Sequence, residues 1–491
     1  MKLEKLISGT ECKILKGDIE TEISDVCSDS RKIKPGALFV CLDGLKSSGA
    51  DYISEAMSKG AKAILISSTA KEKAKALTSE SDTAVLEAEN VRSSLAFLCS
   101  SLHNQPQDGI RIIAVTGTNG KTSVTQILKH IFTKEKIKAE TIGTLDGSMT
   151  TPDPEELYKE LEDKKKRGVS AVLMEASSHS LFLDKLAPLR PEIGIITNVT
   201  PDHLDFHKSM ESYALAKSKL FSLCDIGLFN TDDPICKKMK ESSKCEAFGF
   251  SCQDCDTDFI AKNICLLGES GGMFDFFNHF DLFRIRQRMP GMTGISNSLA
   301  AASAAYIFGI NRSVIKSALA DFTGVRGRLE RVELDGADFS VFIDFAHTPD
   351  ALEKLLKTVR AFSGTEKRIV LLFGCGGDRD RLKRPVMGSI AEKNADLVIV
   401  TSDNCRSEKA EDIILDILSG MEKGSELLVI PDRKEAIFHA VLCAMPSDVI
   451  ILAGKGHETS ELSGDQRKHF DEREIVREAF EIKKQKQTLQ S

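Results

Sequence analysis

The chain has 491 residues, 41% of them hydrophobic and 28% charged, with a formal net charge of -7. Length admits about three domains of ordinary size, and the acidic balance excludes a nucleic-acid partner, which would need clustered Lys and Arg. The thirteen cysteines are scattered at irregular spacing, as in a reducing compartment rather than a disulfide framework.

No apolar stretch reaches the ~18 residues of a membrane span, and Met1-Lys2-Leu3-Glu4-Lys5 leads into no signal-peptide core. A cytoplasmic protein with no membrane partner is therefore expected. The opening hundred residues carry apolar runs at Ala37 to Leu42 and Ala61 to Ser67 and a helical stretch from Val91 to Leu102, which reads as a small α/β domain. The polar break from His103 to Gly109 is a linker candidate.

From Arg111 the texture becomes strand, loop, helix, repeated. Ile112 to Val115, Ala171 to Met174 and Ile193 to Ile196 have strand length, with amphipathic stretches between them. That alternation predicts a mostly parallel sheet flanked by helices. Gly324-Val325-Arg326-Gly327-Arg328 ends the block. The same texture restarts with Val341 to Phe345, Ile369 to Phe373, Leu397 to Val400 and Val449 to Leu452, which predicts a second doubly wound domain. The basic runs Lys164-Lys165-Lys166-Arg167 and Lys483-Lys484 read as solvated helix ends, and residues 483–491 as a fraying tail. Cys252 and Cys255 form one CxxC, read as an incidental surface pair because no second pair gives zinc-site spacing.

The strongest chemical signal is the strand Ile112-Ile113-Ala114-Val115 running into Thr116-Gly117-Thr118-Asn119-Gly120-Lys121-Thr122 and then a helix. In that context the loop's N–H groups and the helix terminus cradle phosphates, Lys121 reaches the β/γ oxygens and Thr122 a magnesium ion. The usual first glycine of the phosphate-loop pattern falls at Val115, which leaves the narrower signature GTNGKT. Two later strands deliver polar residues from their carboxyl ends, in MEASSH and NVTPDHLDFH. Glu175 and His203 are placed there to meet a triphosphate as ligands of a divalent ion, the alternative being a helix cap or a surface pair.

Tyr213, Ala216, Lys217, Leu220 and Phe221 share one helical face, so Lys217 lies in an apolar stripe while Lys219 points away. From the residues alone, Lys217 either snorkels its ammonium to the surface or stays buried with a lowered pKa and reacts with carbon dioxide to give a carbamate.

GTNGKT, MEASSHSL, NVTPDHLDFH, YALAKSKLF, NSLAA, GVRGRLE and IDFAHTPDALE stand in one order along the chain, and together they resemble the Mur ligases. Ser28-Asp29-Ser30-Arg31 followed by Pro35-Gly36-Ala37-Leu38-Phe39-Val40 resembles the members that add the third amino acid. The resemblance implies an α/β protein of three domains. A small α/β domain at 1–104 would bind the UDP-substrate, a central P-loop ATPase domain with a mostly parallel sheet would span 105–329, and a Rossmann-like amino-acid-binding domain would span 330–491. It implies a monomeric ATP-dependent ligase of peptidoglycan synthesis that joins an amino acid to UDP-MurNAc-L-Ala-D-Glu through an acyl phosphate. The three domains would close around the site, with Gly324 to Gly327 as hinge.

Carried over by position, Thr116 to Thr122, Asn297, Arg328, Asp344 and His347 would contact ATP. Ser30, Thr150, Thr151, Ser177 and Lys185 would hold the UDP-substrate, Lys185 standing where the family has arginine. Thr122, Glu175, His203 and a carbamylated Lys217 would hold Mg2+, and Lys121, Lys217 and His203 would serve catalysis. The stretch Gly291-Met292-Thr293-Gly294-Ile295 departs from the family's glycine-phenylalanine-asparagine pattern.

Asp403, Asn404, Cys405 and Arg406 resemble the DNPR motif of the diaminopimelate-adding members, with Cys405 in place of proline. Arg379, Gly454 and Glu458 match other contacts to the amino acid. A guanidinium grips the distal carboxylate of meso-diaminopimelate in a two-pronged pair but repels the ammonium of lysine. The alternatives are a lysine-adding ligase, a folylpolyglutamate synthase-like ligase, and a P-loop switch ATPase. Val115 and the His203 and Lys217 constellation speak against the last.

Overall fold

The computed structural model describes residues 1–44, 47–146, 149–253, 256–422, 426–463 and 466–490, so Cys255 of the CxxC lies outside the described residues. The chain divides into two compact units, one of Met1–Phe259 with Ala300–Ile315, the other of Ile260–Leu299 with Lys316–Ser491.

The first unit opens on a five-stranded sheet in the order Lys13–Lys16, Ala84–Glu87, Ala63–Ile66, Ala37–Val40, Asp25–Cys27. Its first strand runs antiparallel to its neighbour and the others run parallel. Every residue of Ala37–Val40 and Ala63–Ile66 is buried, which is why both appear as unbroken apolar runs. The helix Val91–Leu102 spans the expected residues, with Asn90 accepting the Ser93 N–H at 3.0 Å as its cap.

The same unit then builds six parallel strands in the order Glu246–Ser251, Ile226–Asn230, Ile193–Ile196, Arg111–Thr116, Ala171–Glu175, Ala139–Ile142. Arg111–Thr116, the strand that enters the phosphate loop, lies between the two strands that end in Glu175 and in Ile196. Three carboxyl ends therefore converge, where a parallel sheet places its ligands.

In the second unit, Gly272–Phe277 and Leu282–Gln287 pair antiparallel. A six-stranded sheet follows in the order Glu330–Arg331, Ser340–Asp344, Val449–Ala453, Ile369–Phe373, Leu397–Val400, Glu426–Val429, parallel except for the first strand. The last parallel strand in sequence, Val449–Ala453, sits between the first two, and this reversal of order opens a crevice at their carboxyl ends. Mixed α/β architecture with mostly parallel sheets is what the alternating texture predicts.

Two readings are corrected. Lys164 and Lys483 are not solvated. Lys164 is buried against Glu140 and Glu160 at 3.0 Å each, and Lys483 donates to the carbonyls of Val441, Leu442 and Ala444. Residues 483–490, read as a tail, belong to the helix Glu472–Gln490, whose Val476, Ala479 and Phe480 are buried. Among the described residues no helix is long and apolar enough to cross a membrane.

Candidate functional site

The strand Arg111–Thr116 turns through Gly117 and Gly120, both at positive φ (138° and 89°), into the helix Lys121–Lys134. A Cβ at Gly117 would lie 2.0 Å from Thr197 Oγ1, so only glycine fits against the neighbouring strand end. Lys121 Nζ donates to the carbonyls of Gly117 and Thr118 at 2.8 and 2.9 Å, folding back over the loop it would serve. Thr116 Oγ1 and Asn119 Nδ2 are buried with no hydrogen-bond partner among the described residues. Orphaned polar atoms around a glycine-bearing loop that opens a helix fit a phosphate chain.

The loop is held by residues at or just past the ends of two neighbouring strands. Asn198 accepts the Asn119 N–H at 3.0 Å and returns its amide to the Asn119 carbonyl at 3.1 Å, and Thr197 Oγ1 donates to the same carbonyl at 2.5 Å. Behind them Asn230 donates to the Thr197 carbonyl at 2.7 Å, and Asp233 accepts the Val199 N–H at 2.8 Å. For Asn230 and Asp233 the sequence signal is the run Asn230-Thr231-Asp232-Asp233, which has no spacing that points to phosphate.

Glu175, 2% exposed, accepts from Thr122 Oγ1 at 3.0 Å, from the Thr144 N–H at 3.1 Å and from Thr144 Oγ1 at 3.2 Å. Its own carbonyl takes Thr151 Oγ1 at 2.8 Å, and Thr151 Oγ1 accepts the Ser177 N–H at 3.0 Å. Thr150 Oγ1 lies 3.2 Å from Thr144 Oγ1. Thr122, Glu175, Thr150, Thr151 and Ser177 are thus one hydrogen-bonded group beside the phosphate loop. A buried carboxylate beside a hydroxyl at a phosphate loop is an oxygen donor set that suits magnesium. Among the described residues no three His, Cys, Asp or Glu side chains gather into a metal site.

His203 stands in left-handed backbone (φ 52°), its Nε2 3.5 Å from Asp202 Oδ2 and its ring edge-on to His179 at 4.9 Å. Lys217 is only 1% exposed, so its ammonium does not snorkel. Nζ lies 4.5 Å over the Tyr213 ring and has no hydrogen bond among the described residues. Burial first, and then the charge of Lys121, hold its pKa well below the usual lysine range, which is the state from which an amine reacts with carbon dioxide. Tyr213, Ala216, Leu220 and Phe221 are buried with it, as the stripe predicts. Lys185 pairs with Asp153 at 2.5 Å. Ser30 is buried, its hydroxyl donating to Glu55 at 2.9 Å.

In the second unit the crevice is lined by the segments after three strands: 374–380, 401–406 and 454–458. Asn404 is fully engaged. Its Oδ1 accepts Lys455 Nζ at 3.1 Å and the Leu462 N–H at 2.9 Å, and its Nδ2 donates to Glu458 Oε2 at 2.9 Å. Burial raises the Asp403 pKa, but Arg433 and Lys455 outweigh it and hold the carboxyl below the usual range. Burial pushes Glu458 up. A Cβ at Gly454 (φ 114°) would lie 2.8 Å from Asp403 Oδ2, so glycine is required beside that carboxylate.

Arg406, at φ 50°, donates from Nη1 to the Gly377 carbonyl at 2.7 Å, while its Nε and Nη2 bond to none of the described residues. Cys405 is half-buried, its thiol donating to the Asp403 carbonyl at 3.2 Å, and Arg379 is exposed. Lys455 and Arg433, both buried, were not singled out by sequence; Arg433 pairs with Glu472 at 2.8 Å and donates to the carbonyls of Ser402 and Ala453.

The expected ATP contacts Asn297, Arg328, Asp344 and His347 also lie in the second unit. Asp344 accepts the N–H groups of Leu329 and Ala346 at 2.6 and 2.8 Å, and the Arg328 guanidinium lies 4.8 Å over Phe345. His347 Nδ1 donates to the Phe345 carbonyl at 2.7 Å, and Asn297 is buried on the helix Gly291–Ile307.

Three family models match in succession: "Mur ligase family, catalytic domain" over 22–101, "Mur ligase middle domain" over 115–305 and "Mur ligase, glutamate ligase domain" over 327–456. The UDP-N-acetylmuramoyl-L-alanyl-D-glutamate--2,6-diaminopimelate ligase of Clostridioides difficile is 40% identical, covering 98% of this chain and 99% of its own. The ligase of the same name from Caldanaerobacter subterraneus subsp. tengcongensis is also 40% identical, over 97% of this chain and 98% of its own. A solved structure of a UDP-N-acetylmuramoyl-L-alanyl-D-glutamate--2,6-diaminopimelate ligase superposes with a TM-score of 0.70 at 27% identity, covering 99% of both chains. With its motifs in family order, its sheets in the family's architecture and these full-length relatives, the chain belongs to the Mur ligase family.

Proposed function

We propose that this protein is the ATP-dependent ligase that joins meso-2,6-diaminopimelate to UDP-N-acetylmuramoyl-L-alanyl-D-glutamate, releasing ADP and phosphate. The observation that carries the choice of amino acid is Arg406. One nitrogen of its guanidinium is tied to the Gly377 carbonyl, and the Nε–Nη2 edge is left without a protein partner among the described residues. That edge matches a carboxylate in two-pronged geometry, and a distal carboxylate is what diaminopimelate has and lysine lacks.

In the reaction the terminal carboxylate of the UDP-substrate attacks the γ-phosphorus of ATP, ADP leaves, and an acyl phosphate forms. The amine of the amino acid then attacks the acyl carbon, phosphate leaves and the amine's proton is lost. Lys121, the loop N–H groups and the amino terminus of the helix Lys121–Lys134 offset the repulsion between two anions. Thr150, Thr151, Ser177, Lys185 and Ser30 are assigned to the UDP-substrate, and Asn297, Arg328, Asp344 and His347 to ATP. Thr122, Glu175, His203 and a carbamylated Lys217 would hold magnesium, which supplies positive charge to the phosphoryl oxygens. The reading also takes the chain as a cytoplasmic monomer with domains at 1–104, 105–329 and 330–491; the three successive family segments support the division into domains alone.

The test is phosphate release from ATP with the UDP-dipeptide and, separately, meso-diaminopimelate, L-lysine, L-ornithine or no amino acid. Release with diaminopimelate alone is expected. Release with lysine overturns the choice of amino acid, and no release with any of them overturns the ligase assignment.

A further inference from the structure

Arg406 is held in an unfavourable backbone conformation on a turn, and something must keep it there. The segment that fixes its guanidinium, residues 376–378, lies at the end of a different strand and carries two adjacent glycines. A Cβ at Gly377 would sit 1.9 Å from the Cys405 carbonyl oxygen, so the two turns are in direct backbone contact.

They are joined by the Gly377 N–H, which donates to the Asn404 carbonyl at 2.9 Å, and by Arg384, which has no exposed surface although it lies at the start of the helix Lys383–Asn394. Its Nη1 and Nη2 form a two-pronged pair with Glu408 at 2.9 and 2.8 Å, Nη1 also reaches Asp416 at 2.9 Å, and Nη2 reaches the Gly376 carbonyl at 3.3 Å. Glu408 Oε1 then accepts the Asp378 N–H at 2.6 Å. Asp378 returns across the gap, accepting Ser407 Oγ at 2.6 Å and the Ser407 N–H at 3.2 Å. Each turn is therefore bonded to the other on both sides of the Arg406–Gly377 contact. A buried ion pair is a weak source of stability, since desolvation offsets most of its attraction, but it fixes geometry.

We infer that Arg384 and Glu408 are positioning residues for amino-acid selection: they latch turn 376–378 onto turn 405–408 so that Gly377 presents its carbonyl to Arg406 and the outer edge of the guanidinium is aimed at a carboxylate. This rests on the proposed role of Arg406. The latch acts through Arg406 and touches no substrate. Loosening it weakens capture of the amino acid while leaving the phosphoryl chemistry of the first unit's residues as it was.

The experiment is a double-mutant cycle on the full-length enzyme, with Glu408→Gln, Arg406→Ala and the pair, read as KM for the amino acid, KM for ATP and kcat. The amino acid used is whichever one supports phosphate release in the unaltered enzyme, so a wrong substrate assignment shows there and not in the cycle. Glu408→Gln is expected to raise the amino-acid KM about tenfold, with ATP KM and kcat within about twofold. In the Arg406→Ala background the same change is expected to raise it less than twofold. Arg384→Lys, which keeps the charge and loses the fork, is expected to follow Glu408→Gln. Equal effects of Glu408→Gln in both backgrounds, or a parallel loss of kcat and of affinity for ATP, would overturn the inference and leave the pair a structural one.

Discussion

The Thr122 hydroxyl donates to Glu175 Oε2 at 3.0 Å, joining the first turn of the helix Lys121–Lys134 to the end of the strand Ala171–Glu175. Both oxygens of the carboxylate are acceptors here, since Thr144 bonds each of them. Glu175→Gln keeps the shape but replaces one acceptor with an NH2 donor, which faces the donors it used to satisfy. The variant is expected to lose on the order of 10²-fold in kcat and to need more magnesium for half-maximal rate. An unchanged magnesium dependence would remove Glu175 from the metal.

Lys121 reaches back to the carbonyls of Gly117 and Thr118, so it is preorganised over the loop before nucleotide arrives. Lys121→Ala is expected to lower phosphate release by about 10³-fold. Release at the ordinary rate would refute the assignment of the loop.

The attraction of Asp202 does not offset the burial of Lys217 and the charge of Lys121, and the Lys217 pKa is depressed accordingly. Lys217→Ala is expected to be nearly inactive and to recover part of its rate with added short carboxylic acids, which can occupy the place of a carbamate. Full activity without them would take the carbamate out of the mechanism.

The parts of the fold that were legible are those buried on both faces. Ile193–Ile196 and Ile369–Phe373 are unbroken apolar runs because every residue of theirs is buried, and in Leu397–Val400 Leu397 alone is partly exposed. Glu426–Val429 escaped because it is an edge strand, with Leu427 and Val429 partly in solvent. The strands Gly272–Phe277 and Leu282–Gln287 alternate buried with more exposed residues, a period-2 signal that a search for βα texture passes over. In the candidate site, GTNGKT was readable because glycine spacing and a lysine are local requirements of a phosphate loop. Asn230, Asp233, Arg384 and Arg433 were not, because each acts on a segment distant in sequence and no local spacing encodes that partner.

Lys455 shows what such a hidden residue does. Fully buried, it bonds Asn404 Oδ1 at 3.1 Å and lies 3.7 Å from Asp403 Oδ1, so it fixes which way the Asn404 amide faces and offsets a buried carboxylate. Lys455→Met fills the space of the aliphatic stem without the charge. Its amino-acid KM is expected to rise about tenfold, the equivalent of ~1.4 kcal/mol, with ATP KM unchanged. Steady-state kinetics with each substrate varied in turn checks this, and equal changes for both substrates would point to a general loss of fold.

His207 gives the protein a pH-dependent stability. The residue is 3% exposed, with Nε2 3.0 Å from Ser178 Oγ and Nδ1 buried without a partner among the described residues. Burial first, and then the neighbouring His179, His203 and Lys217, hold its pKa down at about 4. In the unfolded chain an imidazole titrates near ~6.5. Between these values the unfolded state binds the proton and the folded state does not, so stability is complete above about 6.5 and falls as pH drops toward 4. The slope from this one group approaches at most ~1.4 kcal/mol per pH unit. His457, also held down at about 4 by burial and by Arg328, Arg473 and Arg326, adds in the same window. Melting temperature measured from pH 7.5 to 5 is expected to fall, and His207→Gln to flatten part of that fall while lowering the value at pH 7.5. A His207→Gln profile parallel to that of the unaltered protein would show that the imidazole takes up its proton in the folded state, and that the pH dependence arises elsewhere.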